Sequence, residues 1–495
     1  VRIPFPERVP IAYAAVFCAA LFAVQWMEGT ALYFSAACVA FILISTLAFN
    51  SGGGLSRAPG AFVFFYSTLV LIVGVTYKAY LGEPGQTNLT VPKTDMEVYV
   101  GGIIGMYMAV IISRRLSRRT GLLQNLMPDA LMYRASVGCI AFGIAGSSVI
   151  NLLGNSGLAL QSAFDQLNQL IPLGIIIGVM YELRRSGGTR SVNAPILVGT
   201  SYYFVIFGIL GFSKQGMLLP LVCILLPMCA LRYRFSAAQL VGLLVGTFII
   251  FHYLVPFVQY GRGFREEAPT LPERAVVAMA LLEHPDRTRL KYDSYLPAPN
   301  YYNTSEGFWD RLNFIWVDDG INYVTEQGHV FGLLPVLYAY YNVIPHFVWK
   351  DKPGRNFSAA YTSEITGISE EELEGIGISF SPTAEAFHMA KWFGLFIVAP
   401  LVWLLLFLVF DTLFGDLRAT PWGLLAMAIV SHTAPEGSLT GSVWLSTIGA
   451  EVLVFCALFA TWVAPIFGDA LVGPKRQRGR IDAPLRPRLN PRGSR

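Results

Sequence analysis

The chain of 495 residues is 54% apolar and only 14% charged, with a mean hydropathy of +0.52 and a net charge of +4. Soluble domains carry about 25% charged residues, so composition excludes an ordinary soluble domain. Long apolar runs recur along the chain and argue for an all-α polytopic membrane protein, because the strands of a membrane barrel need only about ten residues each.

Twelve spans are expected, over 9–27, 31–49, 60–78, 97–113, 132–153, 168–183, 194–212, 216–232, 236–258, 390–412, 420–434 and 442–467. The first run lacks a convincing small-residue cleavage site and similar runs follow it, so it reads as a retained span. Arg2 and Arg8 precede span one. Arg57 follows span two, Arg114, Arg115, Arg118 and Arg119 follow span four, and Arg184, Arg185 and Arg190 follow span six. Arg232 and Arg234 follow span eight, Arg418 follows span ten, and "PKRQRGR" follows span twelve. Every even-numbered exit is basic, which predicts cytoplasmic termini. All six cysteines fall in apolar runs, so neither a disulfide nor a cysteine metal site is expected.

The expected organisation is a nine-span bundle over 1–258, an extracytoplasmic domain over 259–389, three further spans over 390–467 and a basic cytoplasmic tail over 468–495. The external block holds 10 of the 36 Lys and Arg but 18 of the 32 Asp and Glu, so its net charge is −8 against +12 for the rest. Within it, 329–349 is about long enough to span. Pro335, Asn342, Pro345 and His346 oppose a simple spanning helix, and a thirteenth span would reverse the charge parity. It reads as an interfacial or re-entrant segment. Ser369 and Glu372 in "SEEELEG" have the spacing of a capping box and predict a short helix. Glu451 falls mid-span, where an acid is costly unless it faces a cavity or a partner.

No Walker loop, dinucleotide fingerprint or H-E-x-x-H motif occurs, and no cytosolic loop is long enough for a nucleotide-binding domain. Chemistry is therefore expected at the outer face, on lipid-borne material. All six histidines lie from His252 onward, with His252 and His432 near the outer ends of spans nine and eleven. Lys214, Arg262, Arg265, Arg311, Lys350, Lys352 and Arg355 lie outside, where topology has no use for cations. Their economical uses are to hold an anion, for which arginine offers a fork suited to phosphate oxygens, or to pair with the loop's carboxylates. Glu385, just before span ten, and Glu436, in the turn after span eleven, are placed to meet them. Either reads as a general base toward a sugar hydroxyl or as an ion-pair partner.

"VIPHFVWKDKP" resembles the "IPR-x-x-W-x-x-KP" stretch of bacterial O-antigen and related oligosaccharide repeat-unit polymerases, which are membrane glycosyltransferases of GT-C-like type. "SPTAEAFHMAKWFG", "GFSKQGMLLPL" and "APEGSL" are similar to a later stretch, to the Lys-bearing turn before a hydrophobic span and to the late outer turn of that family, with Glu385, Gly394, Lys214 and Glu436 at matching places. The resemblance covers 210–445. His346 departs from the family's arginine and Ala384 from its glycine. The resemblance implies polymerisation of undecaprenyl-diphosphate-linked repeat units at the periplasmic face of the bacterial inner membrane, with the lipid diphosphate as leaving group. It implies lipid-linked glycan donor and acceptor as partners, membrane lipids around the bundle, a possible chain-length-regulating membrane protein, and no nucleic acid. External cations would steady the departing diphosphate, while Glu385, Glu436 or His346 would take the acceptor proton. No metal or cofactor is required. A ligase moving the finished glycan to lipid A core or protein would share the donor chemistry. A flippase would predict several ionisable residues within spans and an internal repeat. A lipid-monophosphate mannosyltransferase would predict an acidic pair in the first outer loop, which here has only Glu28.

Overall fold

The structure, a computed structural model, describes residues 1–118, 120–153, 167–265, 267–295, 301–304, 306, 309–344, 348–349, 351–353, 357–373 and 378–473. Among the described residues the regular elements are helices, with no sheet. In chain order they are α1 (Ile11–Met27), α2 (Leu32–Gly52), α3 (Ala58–Tyr80), α4 (Pro92–Leu116), α5 (Met132–Leu153), α6 (Leu170–Arg185), α7 (Ala194–Ile209), α8 (Lys214–Ala230) and α9 (Ala237–Phe264). Residues 259–389 contribute α10 (Leu271–Glu283), α11 (Pro285–Tyr295), α12 (Ile315–Glu326), α13 (Leu334–Tyr341) and α14 (Phe357–Thr366). The chain then returns through α15 (Pro382–Phe393), α16 (Ala399–Phe414), α17 (Pro421–Glu436) and α18 (Ser438–Val472).

Among the described residues, seven helical segments are long and apolar enough to cross a membrane, and α1, α7 and α8 are shorter apolar helices. By helix length and hydropathy the chain is a multi-pass membrane protein. Helix starts are set by polar caps at the edges of the apolar runs. Asn193 accepts from Ile196 N, Ser236 forms a capping box with Gln239, and Thr420 accepts from Gly423 N.

The basic exits meet at one end of the bundle. Buried Asp411 lies 3.1 Å from Arg114 and 3.9 Å from Arg57, Arg418 binds Asp416 and Glu7, and Arg134 binds Asp469. Leu122 N and Leu123 N donate to Thr412 O and Leu413 O, which fastens the α4–α5 connection to the end of α16. The helices of 259–389 reach the other end of the bundle, where Asp319 of α12 accepts from Thr90 N and Val91 N at the start of α4. Close approach inside the bundle depends on glycine. A Cβ on Gly138 would lie 1.9 Å from Ala464 O, so α5 and α18 touch backbone to backbone. Gly138→Val is expected to cost about 3 kcal/mol, the upper part of the range for overpacking. An unchanged thermal midpoint in purified protein would contradict that contact.

Three expectations meet the structure here. Residues 370–373 form a turn, and Glu372 N donates to Ser369 Oγ at 3.4 Å, while Glu374 and Gly375 of the expected helix lie outside the described residues. Among its described residues, segment 329–349 holds the eight-residue α13, about 12 Å long. It packs on the start of α18 and leaves Leu334, Leu337 and Tyr340 exposed, as a surface-resting helix does. Glu451 faces away from the bundle, with no ion-pair partner among the described residues.

Candidate functional site

Turn 211–216 organises the candidate site. Ser213 accepts from Gly216 N and starts α8, which places Lys214 in its first turn. Two arginines from the end of α9 hold the turn. Arg262 Nε donates to Phe212 O at 3.2 Å, and Arg265 Nη2 donates to Phe212 O at 3.0 Å and also to Gly211 O. Carbonyls thus engage both guanidinium groups, and burial pulls the Arg265 pKa below its ordinary value. This structural use was open to any external cation and now accounts for part of the donor capacity of these two.

Lys214 Nζ lies 3.4 Å from Glu436 Oε1, and His432 Nε2 lies 3.4 Å from Glu436 Oε2. His432 and Glu436 are four residues apart on α17, so they share one face. The three side chains sit at the polar end of a cavity of about 200 Å³, which also reaches Gln215 and Ser431. Its remaining wall is apolar, with Leu69, Leu218, Val222, Phe251, Val255 and Phe314 among the lining residues. A larger groove of about 660 Å³ runs between α2, α4 and the α15–α16 junction. Lys93 and Glu97, the charged residues that line it, lie 3.8 Å from each other, so of these two cavities the smaller is the one where polar groups converge.

Glu385 is not among the cavity residues. It is 1% exposed, and its carboxylate is fully engaged. Oε2 accepts from Leu439 N at 2.5 Å and Thr440 N at 2.9 Å, while Oε1 accepts from Tyr361 Oη at 2.9 Å and Thr440 Oγ1 at 3.3 Å. A carboxylate at a helix start satisfies amides that have no partner within the helix. Glu385 therefore fixes residues 439–440, immediately after the Glu436–Gly437 turn, and reads as a positioning residue instead of a base. Lys352 Nζ donates to Ile344 O at 3.0 Å, and no contact joins it to Glu436 among the described residues. His346, Lys350 and Arg355 lie outside the described residues, as does the side chain of Arg311.

Sequence reasoning missed the anchor of the 259–389 block. Asp318 and Asp319 of α12 are buried, 0% and 4% exposed. Asp319 accepts from Thr90 N and Val91 N and so caps α4 from another element. Asp318 accepts from Tyr99 Oη at 2.8 Å and Ser381 N at 3.0 Å, and Ser381 continues through Thr383 to Tyr66. A Cβ on Gly102 would lie 2.1 Å from Thr383 Cγ2, so glycine lets α4 come this close. Nearby, His388 Nδ1 bonds Thr325 Oγ1 at 2.9 Å, and His388 Nε2 lies 3.1 Å from Glu364. The signal available in sequence was the "VDDG" pair next to aromatic residues.

Burial pushes the Asp318 carboxyl up to about 6, against the pull of the Ser381 and Tyr99 donors. Its folded pKa exceeds its unfolded one, so between about pH 4 and pH 6 the folded state binds more protons. Its contribution to stability is then present below pH 4 and is lost as pH rises through about 6. That rise corresponds to ~3 kcal/mol. Asp318→Asn is expected to remove most of this decline in thermal midpoint between pH 4 and pH 7. An identical pH profile in the variant would contradict the assignment.

Comparisons with protein-family models, with curated proteins and with solved structures found no match for this chain.

Proposed function

We propose that this chain is a membrane glycosyltransferase that polymerises lipid-diphosphate-linked oligosaccharide repeat units at the outer face of a bacterial cytoplasmic membrane. The observation that carries the reading is the cavity of Lys214, His432 and Glu436, because its apolar wall suits a prenyl chain and its polar end suits a charged headgroup. Lys214 is the cation best placed to meet a diphosphate, with the remaining N–H groups of Arg262 and Arg265 close to the same turn. The resemblance over 210–445 agrees with this reading at Lys214 and Glu436. The twelve-span topology, with both termini inside and 259–389 outside, follows from charge parity and gains support from the meeting of basic exits at one end of the bundle.

In this scheme the anomeric carbon of the growing chain leaves its lipid diphosphate and bonds to a hydroxyl of a second lipid-linked unit. Positive charge preorganised at the leaving group is the main catalytic contribution asked of the protein. Deleting the gene and running surface glycans on a gel tests the reading. Loss of the ladder with single-repeat material remaining is expected. Full-length lipid-linked polymer beside unmodified acceptor would instead identify a ligase.

A further inference from the structure

The scheme above assigns no acceptor for the hydroxyl proton, and His432 is one of the cavity groups it does not use. His432 lies on α17 one helical turn before Glu436, and its side chain is 40% exposed. Its Nε2 faces Glu436, while Nδ1 makes no hydrogen bond among the described residues. Glu436 in turn stands between two cationic partners, with one carboxylate oxygen 3.4 Å from His432 and the other 3.4 Å from Lys214.

Both oxygens of Glu436 are already engaged, one by Lys214 and one by His432, so a proton taken by Glu436 would weaken both contacts at once. The neutral imidazole has the opposite property. Taking a proton at Nδ1 creates a positive charge beside an existing negative one, and the carboxylate also fixes the ring's orientation. The charged groups that face the imidazole are Glu436 from its own helix and Lys214 from α8. Arg262 from α9 is within electrostatic reach of Glu436.

We propose that His432 is the general base of the glycosyl transfer, that Glu436 is its positioning residue, and that Lys214 serves the leaving diphosphate. The assignment rests on the polymerase reading. The acceptor hydroxyl oxygen forms the new bond to the anomeric carbon. The bond from that carbon to the diphosphate oxygen breaks, and its electron pair leaves with the lipid diphosphate. The hydroxyl proton passes to His432 Nδ1, and the imidazolium, held by Glu436, then returns it to water. Nothing beyond donor and acceptor is consumed.

The test uses the full chain reconstituted in proteoliposomes with a synthetic lipid-diphosphate oligosaccharide repeat unit as both donor and acceptor. His432→Gln is expected to lower kcat ~100-fold or more with little change in KM, the usual range for losing a general base. It should also abolish the acidic limb of the pH–rate profile. In His432→Ala, added imidazole is expected to restore part of the rate. Thermal midpoints of both variants separate misfolding from loss of the base, and the imidazole response is read in protein already shown to be folded. Near-normal kcat in His432→Gln, with the acidic limb lost only in Glu436→Gln, would overturn the assignment and make Glu436 the base. A wild-type protein that neither extends the glycan nor releases lipid diphosphate would overturn the polymerase reading beneath it.

Discussion

Glu385→Ala is expected to lower stability by about 3–5 kcal/mol and to abolish glycan extension. The loss leaves Leu439 N, Thr440 N and the Tyr361 hydroxyl without the buried acceptor they share, and each stranded donor costs about 1–3 kcal/mol before relaxation. Residues 437–440 would then lose the constraint that sets the start of α18, and Glu436 sits directly before them. Glu385→Gln separates the two effects. Its amide oxygen can still accept from the two backbone N–H groups, and its NH2 can donate to the Tyr361 oxygen. It should therefore keep most of the stability, with a loss of about 1 kcal/mol, and should retain measurable activity. If Glu385 were the base, Glu385→Gln would be as inactive as Glu385→Ala while melting like wild type. Thermal midpoints and initial rates of both variants, measured side by side, decide between these outcomes.

Lys214→Met is expected to reduce the extension rate by about 100-fold to 1,000-fold, the range seen when one preorganised electrostatic donor is removed. Methionine keeps the apolar stem that lines the cavity but loses the charge aimed at Glu436 and at the proposed diphosphate. Lys214→Arg keeps the charge with a different fork and should recover only part of the rate. Folding should be little affected, because the pair is partly exposed, with side chains 29% and 22% accessible, and such pairs contribute about 0–1 kcal/mol. Undiminished extension by Lys214→Met would remove this lysine from the leaving-group role.

Run length made the apolar helices legible, because lipid demands continuous apolar helix: among the described residues, seven helical segments long enough to cross a membrane and three shorter ones overlap ten of the twelve expected spans. Glu436 was legible as a partner for the outer cations as a set, but which cation it meets, Lys214, was not. Glu385 was recognisable as important, but its role was not, because its partners Leu439 and Thr440 are backbone amides more than fifty residues away. Asp318 and Asp319 escaped notice because acids in an acidic loop look solvated. Their burial depends on Thr90, Val91 and Tyr99, more than 200 residues distant. Lys352 illustrates the opposite case. A cation chosen for its neighbours in sequence binds the Ile344 carbonyl within its own segment. His432 had only its position at the end of a span to recommend it, and its significance depends on the cavity that α8, α9 and α17 close around it.

The measurement that decides whether this cavity performs chemistry is the stoichiometry of lipid diphosphate released per repeat unit added, in proteoliposomes containing only the purified chain and the lipid-linked unit. Glycosyl transfer with a diphosphate leaving group predicts one lipid diphosphate for every unit joined, and both products fall together in Lys214→Met. Movement of intact lipid-linked glycan across the bilayer, with no lipid diphosphate released and no chain growth, would contradict it.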